Sequence, residues 1–228
     1  MKAWLELLQN VFNFQKIDGI LFSHRSSEFD IDDIREAFGN ITNVSIENTG
    51  CLAFNQMILR NFFPIEQLTI MNENFRDLKN PPSLLMQNHA TLYIRETNFP
   101  IYVTLNDLLL INSKVISVEN PQMPKRLLNN FIKLWQKGSN PLMEYLSIDY
   151  FDGEENEEQI IMNGIKYEVN PRDRVKNFKS VGFKVLRSVH GGMDVYRKDG
   201  VKATVTYLKS HGLSVWYMYV WFDHCVAE

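Results

Sequence analysis

A pair of aliphatic or aromatic residues separated by one position recurs along this chain at a nearly constant interval. Five of the pairs follow one another every 24 residues, and the sixth comes after a step of 30. They are Ile20/Phe22, Val44/Ile46, Leu68/Ile70, Leu92/Ile94, Ile116/Val118 and Leu146/Ile148. A fixed period of this size is typical of repeat arrays, in which each unit buries its apolar face against its neighbours. The spacing therefore predicts a stack of equivalent strands.

Within each predicted strand, apolar side chains alternate with mostly polar ones. Alternation gives a strand one apolar face and one polar face. A sheet covered by helices on both faces would show continuous apolar runs instead. The predicted fold is therefore α/β: a leucine-rich-repeat-like βα solenoid with one helical face, closed by a C-terminal antiparallel β-sheet. The regular asparagine ladder of leucine-rich repeats is missing from the sequence.

The second face of this array is predicted to be open to solvent, and it is the candidate partner-binding surface. Tyr93 and Arg95 are its expected anchors, because Tyr and Arg are enriched at binding hot spots. Flanking charges would tune encounter and selectivity. The candidate residues are Ser45, Glu47, Thr69, Tyr93, Arg95, Ser117, Glu119, Ser147 and Asp149.

Helix signals lie between the predicted strands. An apolar stripe that includes Phe131 and Trp135 begins after Pro124 and ends before Gly138, as a helix does. The segment 30–38 has acidic residues in its first turn and Gly39 after its end. Residues 1–16 are predicted to form an amphipathic helix that faces the core rather than a membrane.

The chain is predicted to divide into that N-terminal helix, the repeat array over 17–150 and the antiparallel cap over 151–228. Residues 152–158 are acidic and are expected to form a solvated loop. Strand signals then follow, with a hairpin predicted at Asn163-Gly164 and a break at Gly191-Gly192. The strand over 215–222 is apolar on both faces, which favours a central strand covered on both sides; an aromatic partner-binding face is the alternative.

Composition sets limits on the class of protein. The formal net charge of −3 gives no strong attraction to nucleic acid or to an anionic membrane, and no run reaches the length of a transmembrane helix. Glu6 and Gln9 interrupt any secretory apolar region at the start. Cys51 and Cys225 are expected to be free thiols in the cytoplasm or nucleus.

No catalytic, cofactor-binding or metal-binding residues are predicted. The five histidines do not have metal-ligand spacing, and the sequence contains no phosphate-binding glycine motif. Asp223, His224 and Cys225 are adjacent, but neighbours on a strand point to opposite faces. We interpret this triplet as a structural or frayed tail, and the chain as a non-enzyme.

Nucleic-acid binding is the alternative from another class. The segment 166–209 holds eleven basic residues against four acidic ones, and tyrosines and phenylalanines are interleaved with them. Such a segment can hold phosphates and stack bases. The acidic stretch before it could neutralise the charge, so this alternative ranks below protein binding.

Several segments resemble a known family. They are Phe29–Ile34, Leu105–Asn112, Leu128–Trp135, Lys137–Ile148, Met193–Val205 and Tyr219–Phe222, and the run from Trp135 to Pro141 is the most distinctive. Together, over residues 16–228, they resemble the type 2 F-box-associated domain of the nematode F-box protein family. The resemblance implies the substrate-recognition part of an adaptor of a cullin–RING (SCF-type) ubiquitin ligase.

One departure from that family concerns ligase docking. Its members usually begin with an F-box that contains a Leu-Pro pair, and this sequence has no Leu-Pro. A Skp-type linker and a cullin are therefore expected partners only if an F-box exists upstream. The alternative is a stand-alone binder or decoy, which holds an unknown protein partner or degradation substrate without docking to the ligase.

Overall fold

The computed structural model describes residues 17–71, 82–95, 103–119, 123–151, 156–210 and 213–227. The amphipathic helix predicted over 1–16 lies outside these ranges. The described residues form one open sheet of eleven strands in the order β1-β2-β3-β4-β5-β6-β10-β9-β8-β7-β11. The strands are β1 Ile20–Phe22, β2 Asn43–Ile46, β3 Gln67–Met71, β4 Thr91–Arg95, β5 Val115–Glu119, β6 Tyr145–Phe151, β7 Glu168–Phe178, β8 Arg187–Tyr196, β9 Lys202–Ser210, β10 Leu213–Val220 and β11 Val226–Ala227.

Six α-helices connect or follow these strands in the described ranges. They are α1 Ile31–Phe38, α2 Leu52–Asn61, α3 Pro82–Leu85, α4 Leu105–Leu110, α5 Lys125–Gln136 and α6 Glu157–Ile161. The longest, α5, has 12 residues, and no helix within the described ranges combines the length and apolar character that a bilayer span requires.

The strands predicted from the 24-residue period pair in parallel and in register. Val44 lies opposite Leu68, Leu68 opposite Leu92, and Leu92 opposite Ile116. Ile116 in turn lies opposite Leu146, so the step of 30 leaves the register unchanged. The mixed α/β class and the parallel pairing of the repeat are confirmed. These strands belong to a large open sheet that continues beyond them.

Two of the predicted helices show why they begin and end where they do. The Asp30 side chain accepts a hydrogen bond from the Asp32 amide at the start of α1, and Gly39 follows its end with φ of +70°. Pro124 precedes α5 in an extended conformation, and Gly138 lies beyond it with φ of +108°. Both helices match their predictions.

The main core lies between the helices and one face of the sheet. The apolar strand residues, including Ile46, Leu68 and Ile116, are fully buried there. Phe131 and Trp135 of α5 belong to the same cluster. Because the alternation of each strand turns its polar residues away from this core, the other face of the sheet is left for a different use.

The antiparallel strands extend the same sheet instead of forming a separate cap. β10 pairs with β6 on one side and with β9 on the other. Trp216, Met218 and Val220 point into the main core, whereas Tyr219 packs in a second cluster on the opposite face. The prediction of a central strand covered on both sides is confirmed for these residues.

The predicted hairpin at Asn163-Gly164 is wrong. Glu157–Ile161 form helix α6, and β7 begins only at Glu168. Ile161, Met162 and Ile165 enter the main core, and the Asn129 amide donates to the Ile161 carbonyl oxygen at 2.7 Å. Short apolar runs fit either a strand or a helix, and here tertiary packing selects the helix. The acidic stretch is likewise not all solvated, because Glu157 is buried.

Two further corrections concern glycines and the C-terminal triplet. Strand β8 runs through Gly191-Gly192 without a break, and the segment 183–186, predicted as strand, precedes it as a loop. Asp223–Cys225 form a 3₁₀ turn rather than part of a strand, in agreement with the structural alternative of the predicted tail and not with the frayed one. Cys225 is fully buried in the second cluster.

Candidate partner-binding face

The predicted polar side chains form two adjacent rows across the parallel strands. Ser45, Thr69, Tyr93, Ser117 and Ser147 lie opposite one another in successive strands. The second row, two residues further along each strand, contains Glu47, Arg95, Glu119 and Asp149. We call these nine residues the polar face. In the first row the Ser147 hydroxyl and the Ser117 hydroxyl are hydrogen bonded at 2.9 Å. The register thus brings together residues that are 24 or 30 positions apart.

Charge concentrates at the second row. An Arg95 guanidinium nitrogen lies 3.7 Å from a Glu119 carboxylate oxygen, and about half of each side chain is exposed. Asp149 lies beside Glu119 in register. Burial, together with the Glu119 charge, raises the pKa of Asp149 to about 6. Among the four residues of the second row, three are carboxylates and one is a guanidinium.

The first row begins in a shallow groove at the β1 edge. Leu21 lies opposite Ser45 and is 54% exposed. Together with Thr69 and Tyr93 it lines a cavity of about 210 Å³. An exposed apolar residue beside a half-buried tyrosine is typical of a surface that contacts another molecule.

The face is not fully open, which corrects the prediction. Residues 179–186, which we call the strap, lie over the beginnings of β4, β5 and β6. A Cβ atom on Gly182 would lie 2.7 Å from a Val115 methyl carbon. Thr91 and Val115 are completely buried as a result, and Ser147 is 5% exposed. The accessible part of the polar face is therefore the part further along each strand.

Aromatic and cationic contacts hold the strap in place. Arg187, just after it, donates to the Tyr145 hydroxyl at 3.0 Å, and its guanidinium lies 4.0 Å from the centre of the Phe183 ring. Phe183 packs edge-on against Tyr145 at 4.8 Å between ring centres. These contacts attach the strap to β6.

A buried carboxylate fixes the other end of the strap. Glu144 accepts from the Ser180 hydroxyl at 2.5 Å and lies 3.2 Å from the Lys114 ammonium and 2.9 Å from His224 Nε2. Burial alone would raise the pKa of Glu144, but these partners outweigh it and hold the pKa below its usual value. The C-terminal triplet, interpreted from the sequence as a structural or frayed tail, is anchored here.

Glu144, His224 and Cys225 also place three potential metal ligands within 4.8 Å of one another. Lys114 already lies against the carboxylate. Burial and the nearby Glu144 charge raise the pKa of the Cys225 thiol to about 12. Because a metal binds the thiolate, a protonated thiol beside an ammonium group favours a structural anchor over a metal site.

The most informative comparison with known proteins concerns the centre of the polar face. Residues 80–148 match the F-box associated family. The resemblance predicted from the sequence is thereby confirmed for this segment, which is less than a third of the chain. No curated protein and no solved structure matches the chain.

The F-box-associated segment includes β4, β5 and the start of β6. It therefore carries Tyr93, Arg95, Ser117, Glu119 and Ser147 of the polar face. The remaining polar-face residues and the whole antiparallel half lie outside it. The matched segment thus coincides with the middle of the face.

The structure adds two residues to the face that the sequence analysis did not include. Leu21 extends the first row at one end, and Tyr217 of β10 extends it at the other by lying opposite Ser147. Leu21 could have been found by extending the 24-residue period backwards from Ser45. Tyr217 could not, because an antiparallel partner has no fixed sequence spacing.

The basic residues of 166–209 do not form one continuous patch. Arg197 is buried between the Trp135 and Phe222 rings and pairs with Asp199 at 2.8 Å. Lys202 pairs with Asp194, and Lys176 lies over Trp221. Several of the basic residues thus take part in intramolecular contacts, while the nucleic-acid alternative itself stays a prediction.

Proposed function

We propose that this chain is a non-enzymatic protein-interaction module that captures its partner on the polar face. The observation that carries the proposal is geometric: on this side of the parallel strands, cross-strand register collects Tyr93, Arg95, Glu119 and Asp149 at positions that the helices leave uncovered. The matched F-box-associated segment spans three of these four residues and supports a protein-interaction role. No catalytic step is part of the proposal.

In this proposal the parallel half acts as a short leucine-rich-repeat-like solenoid. Each of its strands contributes one side chain to the first row. Four of them are followed, two residues later, by a side chain of the second row. Repeat arrays use such stacked strands to build extended binding surfaces. The strap and the antiparallel strands would bound that surface at one end and leave the side near β1 open.

The charges indicate what the partner offers. The Asp149 side chain makes no hydrogen bond or ion pair in the described part of the chain, and Glu119 shares a long ion pair with Arg95. A basic side chain of the partner would satisfy both carboxylates, and such charge complementarity improves encounter and selectivity. We therefore expect the contacting segment of the partner to carry Lys or Arg.

The same face fits two biological roles. If an F-box is supplied upstream, the module would recruit degradation substrates to an SCF-type ubiquitin ligase through a Skp-type linker and a cullin. Without ligase docking it would act as a stand-alone binder or decoy that shields its partner. A cytoplasmic or nuclear setting is part of both proposals.

The test is affinity capture with matched variants. The tagged chain, expressed in the nematode cells that the resemblance indicates, is purified with cross-linked partners, which are identified by mass spectrometry. Y93A/R95A changes the face, whereas Y167A/R126A changes the same residue types at exposed positions elsewhere. Hot-spot truncation typically costs about 2 kcal/mol or more, so capture by Y93A/R95A should fall at least about tenfold.

The control variant should retain capture, and both variants should unfold at the same denaturant concentration as the parent chain. Equal capture by the two variants would remove the polar face from consideration. Recovery of a Skp-type linker and a cullin would favour the adaptor role, and recovery of partners without them would favour the stand-alone role.

A further inference from the structure

A second concave site lies in the antiparallel half, away from the charged row of the polar face. It is a cavity of about 630 Å³ between neighbouring strands β7, β8, β9 and β10. This volume falls within the range of about 300–1,000 Å³ that is typical of small-molecule sites. Glu158, from the segment before β7, completes its rim.

The walls of the cavity combine apolar and aromatic side chains with polar ones. Val189 and Tyr219 are buried residues of the second cluster that line it, and Tyr217 and Leu208 complete this wall. Tyr217 is shared with the end of the polar face. Such walls favour a flat apolar group with its faces out of water.

The charged groups at the rim differ in whether they already have a hydrogen-bond partner. Arg172 lines the cavity, and its side chain makes no hydrogen bond or ion pair within the described ranges. His190 lies nearby and can donate a hydrogen bond. The acidic residue of the rim, Glu158, already accepts a hydrogen bond from the Tyr207 hydroxyl at 3.0 Å. Arg172 thus supplies hydrogen-bond donors that the described residues do not use, and a guanidinium binds carboxylates and related anions in a bidentate manner.

Gly191 of β8 allows the backbone of Arg172 to approach closely at this rim. The β7–β8 register shifts between Asn170 and Val175, so that residues 171–174 bulge from the strand. Gly191 has φ of +59°, and a Cβ atom there would lie 2.9 Å from the Arg172 Cα atom. Glycine allows this backbone approach and this φ. The His190-Gly191-Gly192 motif thus shapes the cavity rather than breaking the strand.

We propose that this cavity binds an amphipathic organic anion, with its carboxylate or sulfonate head on Arg172 and a flat apolar body against Tyr217, Tyr219 and Val189. The site shares Tyr217 with the end of the polar face, but Arg172, which would bind the anionic head, is not one of the nine polar-face residues. Occupation of the site and capture of the proposed partner can therefore be measured independently.

The test uses two dyes of similar shape with the folded chain. 8-Anilinonaphthalene-1-sulfonate is an anion, and N-phenyl-1-naphthylamine is its neutral counterpart. We expect saturable binding of the anionic dye with one site per chain, measured by fluorescence titration and calorimetry. R172M should weaken the binding of the anionic dye at least about tenfold, because it removes one charge-assisted pair. It should change the affinity for the neutral dye less than about twofold.

R174M is the matched control, because Arg174 lies in the same bulge but does not line the cavity and instead bonds the Asn170 side chain. It should change neither affinity by more than about twofold. L208W, at the exposed mouth of the cavity, should reduce the binding of both dyes. Near-UV circular dichroism of each variant confirms that the dyes report a native site and not loosened packing.

Three results would overturn the proposal. One is binding that does not saturate at one site, and another is an equal loss in R172M and R174M. The third is a parent chain that binds neither dye and an R172M variant that loses partner capture. That combination would make the cavity part of the protein-partner surface.

Discussion

Gly182 lies so close to Thr91 that a side chain at position 182 would overlap the Thr91 hydroxyl. Thr91 is fully buried, and its hydroxyl oxygen has no hydrogen-bond partner. The strap therefore reaches the sheet by close backbone approach, at a position where only a residue without a Cβ atom fits. This contact decides how much of the polar face is covered.

G182A should destabilise the chain by about 1–3 kcal/mol, the usual result of adding atoms to a packed site. Urea unfolding measures this change. V181A, at the neighbouring position that is 60% exposed, should stay within about 0.5 kcal/mol of the parent chain. G182A/T91A should lose less stability than the two single changes together, because removing the hydroxyl makes room for the methyl group. Strict additivity would contradict the close contact.

The anchor at Glu144 should be important for stability at neutral pH. E144Q removes a buried charge that Lys114 balances and that Ser180 and His224 contact, and it should cost about 1–3 kcal/mol. The pKa of Glu144 is lowered by these partners, so its contribution is present above the ordinary carboxyl pKa and disappears as pH falls through the folded value. Urea unfolding at pH 7 and at pH 3 should show the cost shrinking in acid.

A fitting control for this anchor is E66Q, because Glu66 is an exposed carboxylate with one long hydrogen bond to Thr42. That variant should change stability by less than about 0.5 kcal/mol. A loss in E144Q that is equally large at both pH values would argue against a role for the charge.

Ionisation of Asp149 should lower the stability of the fold, whereas ionisation of Glu144 raises it. The Asp149 pKa of about 6 lies above the ordinary Asp value, so the ionised side chain destabilises the folded state, and stability falls as pH rises towards 6. D149N should therefore stabilise the isolated chain at pH 7.5 by the order of 1 kcal/mol, allowing for solvent screening, and have little effect at pH 4. D173N, at an exposed position, serves as the control. Destabilisation by D149N at pH 7.5 would show that Asp149 already has a cationic partner.

His89 should make the fold sensitive to mild acid. Its Nδ1 atom lies 2.7 Å from the Ile65 carbonyl oxygen, and burial lowers the pKa of the imidazole. Below the ordinary histidine pKa of about 6.5, the unfolded state takes up this proton more readily, so stability falls by up to about 1.4 kcal/mol per pH unit. H89Q should reduce this slope in unfolding measured from pH 7 to pH 5, and H24Q, at an exposed position, should not.

The parallel half could be predicted because two simple rules coincide there. Alternation identifies each strand, and a constant spacing places the strands in register, so Tyr93 and Ser117 were predicted to be neighbours without any long-range information. The segment around Ile161 follows neither rule. Its apolar residues are few, and contacts with Asn129 determine its helical form.

The buried polar groups could not have been predicted in this way. The carboxylate of Glu157 accepts from the Ser214 hydroxyl 57 residues away, and Glu144 contacts His224 across 80 residues. A sequence shows that such residues are polar but not which partner will neutralise them. A buried carboxylate is tolerated only when a partner offsets its loss of hydration, and here that partner is distant in sequence. For the same reason the strap, which Glu144 anchors, was not predicted.

The position of β6 in the middle of the sheet has a consequence for how the chain acquires its structure in time. The partner of its free edge is β10, which is synthesised some sixty residues later. Until then a growing chain carries the parallel strands with one long unpaired edge, the kind of edge that pairs with other chains. Completion of the fold therefore depends on residues 213–220, and protection of that edge by a chaperone would matter most in the interval before they emerge from the ribosome.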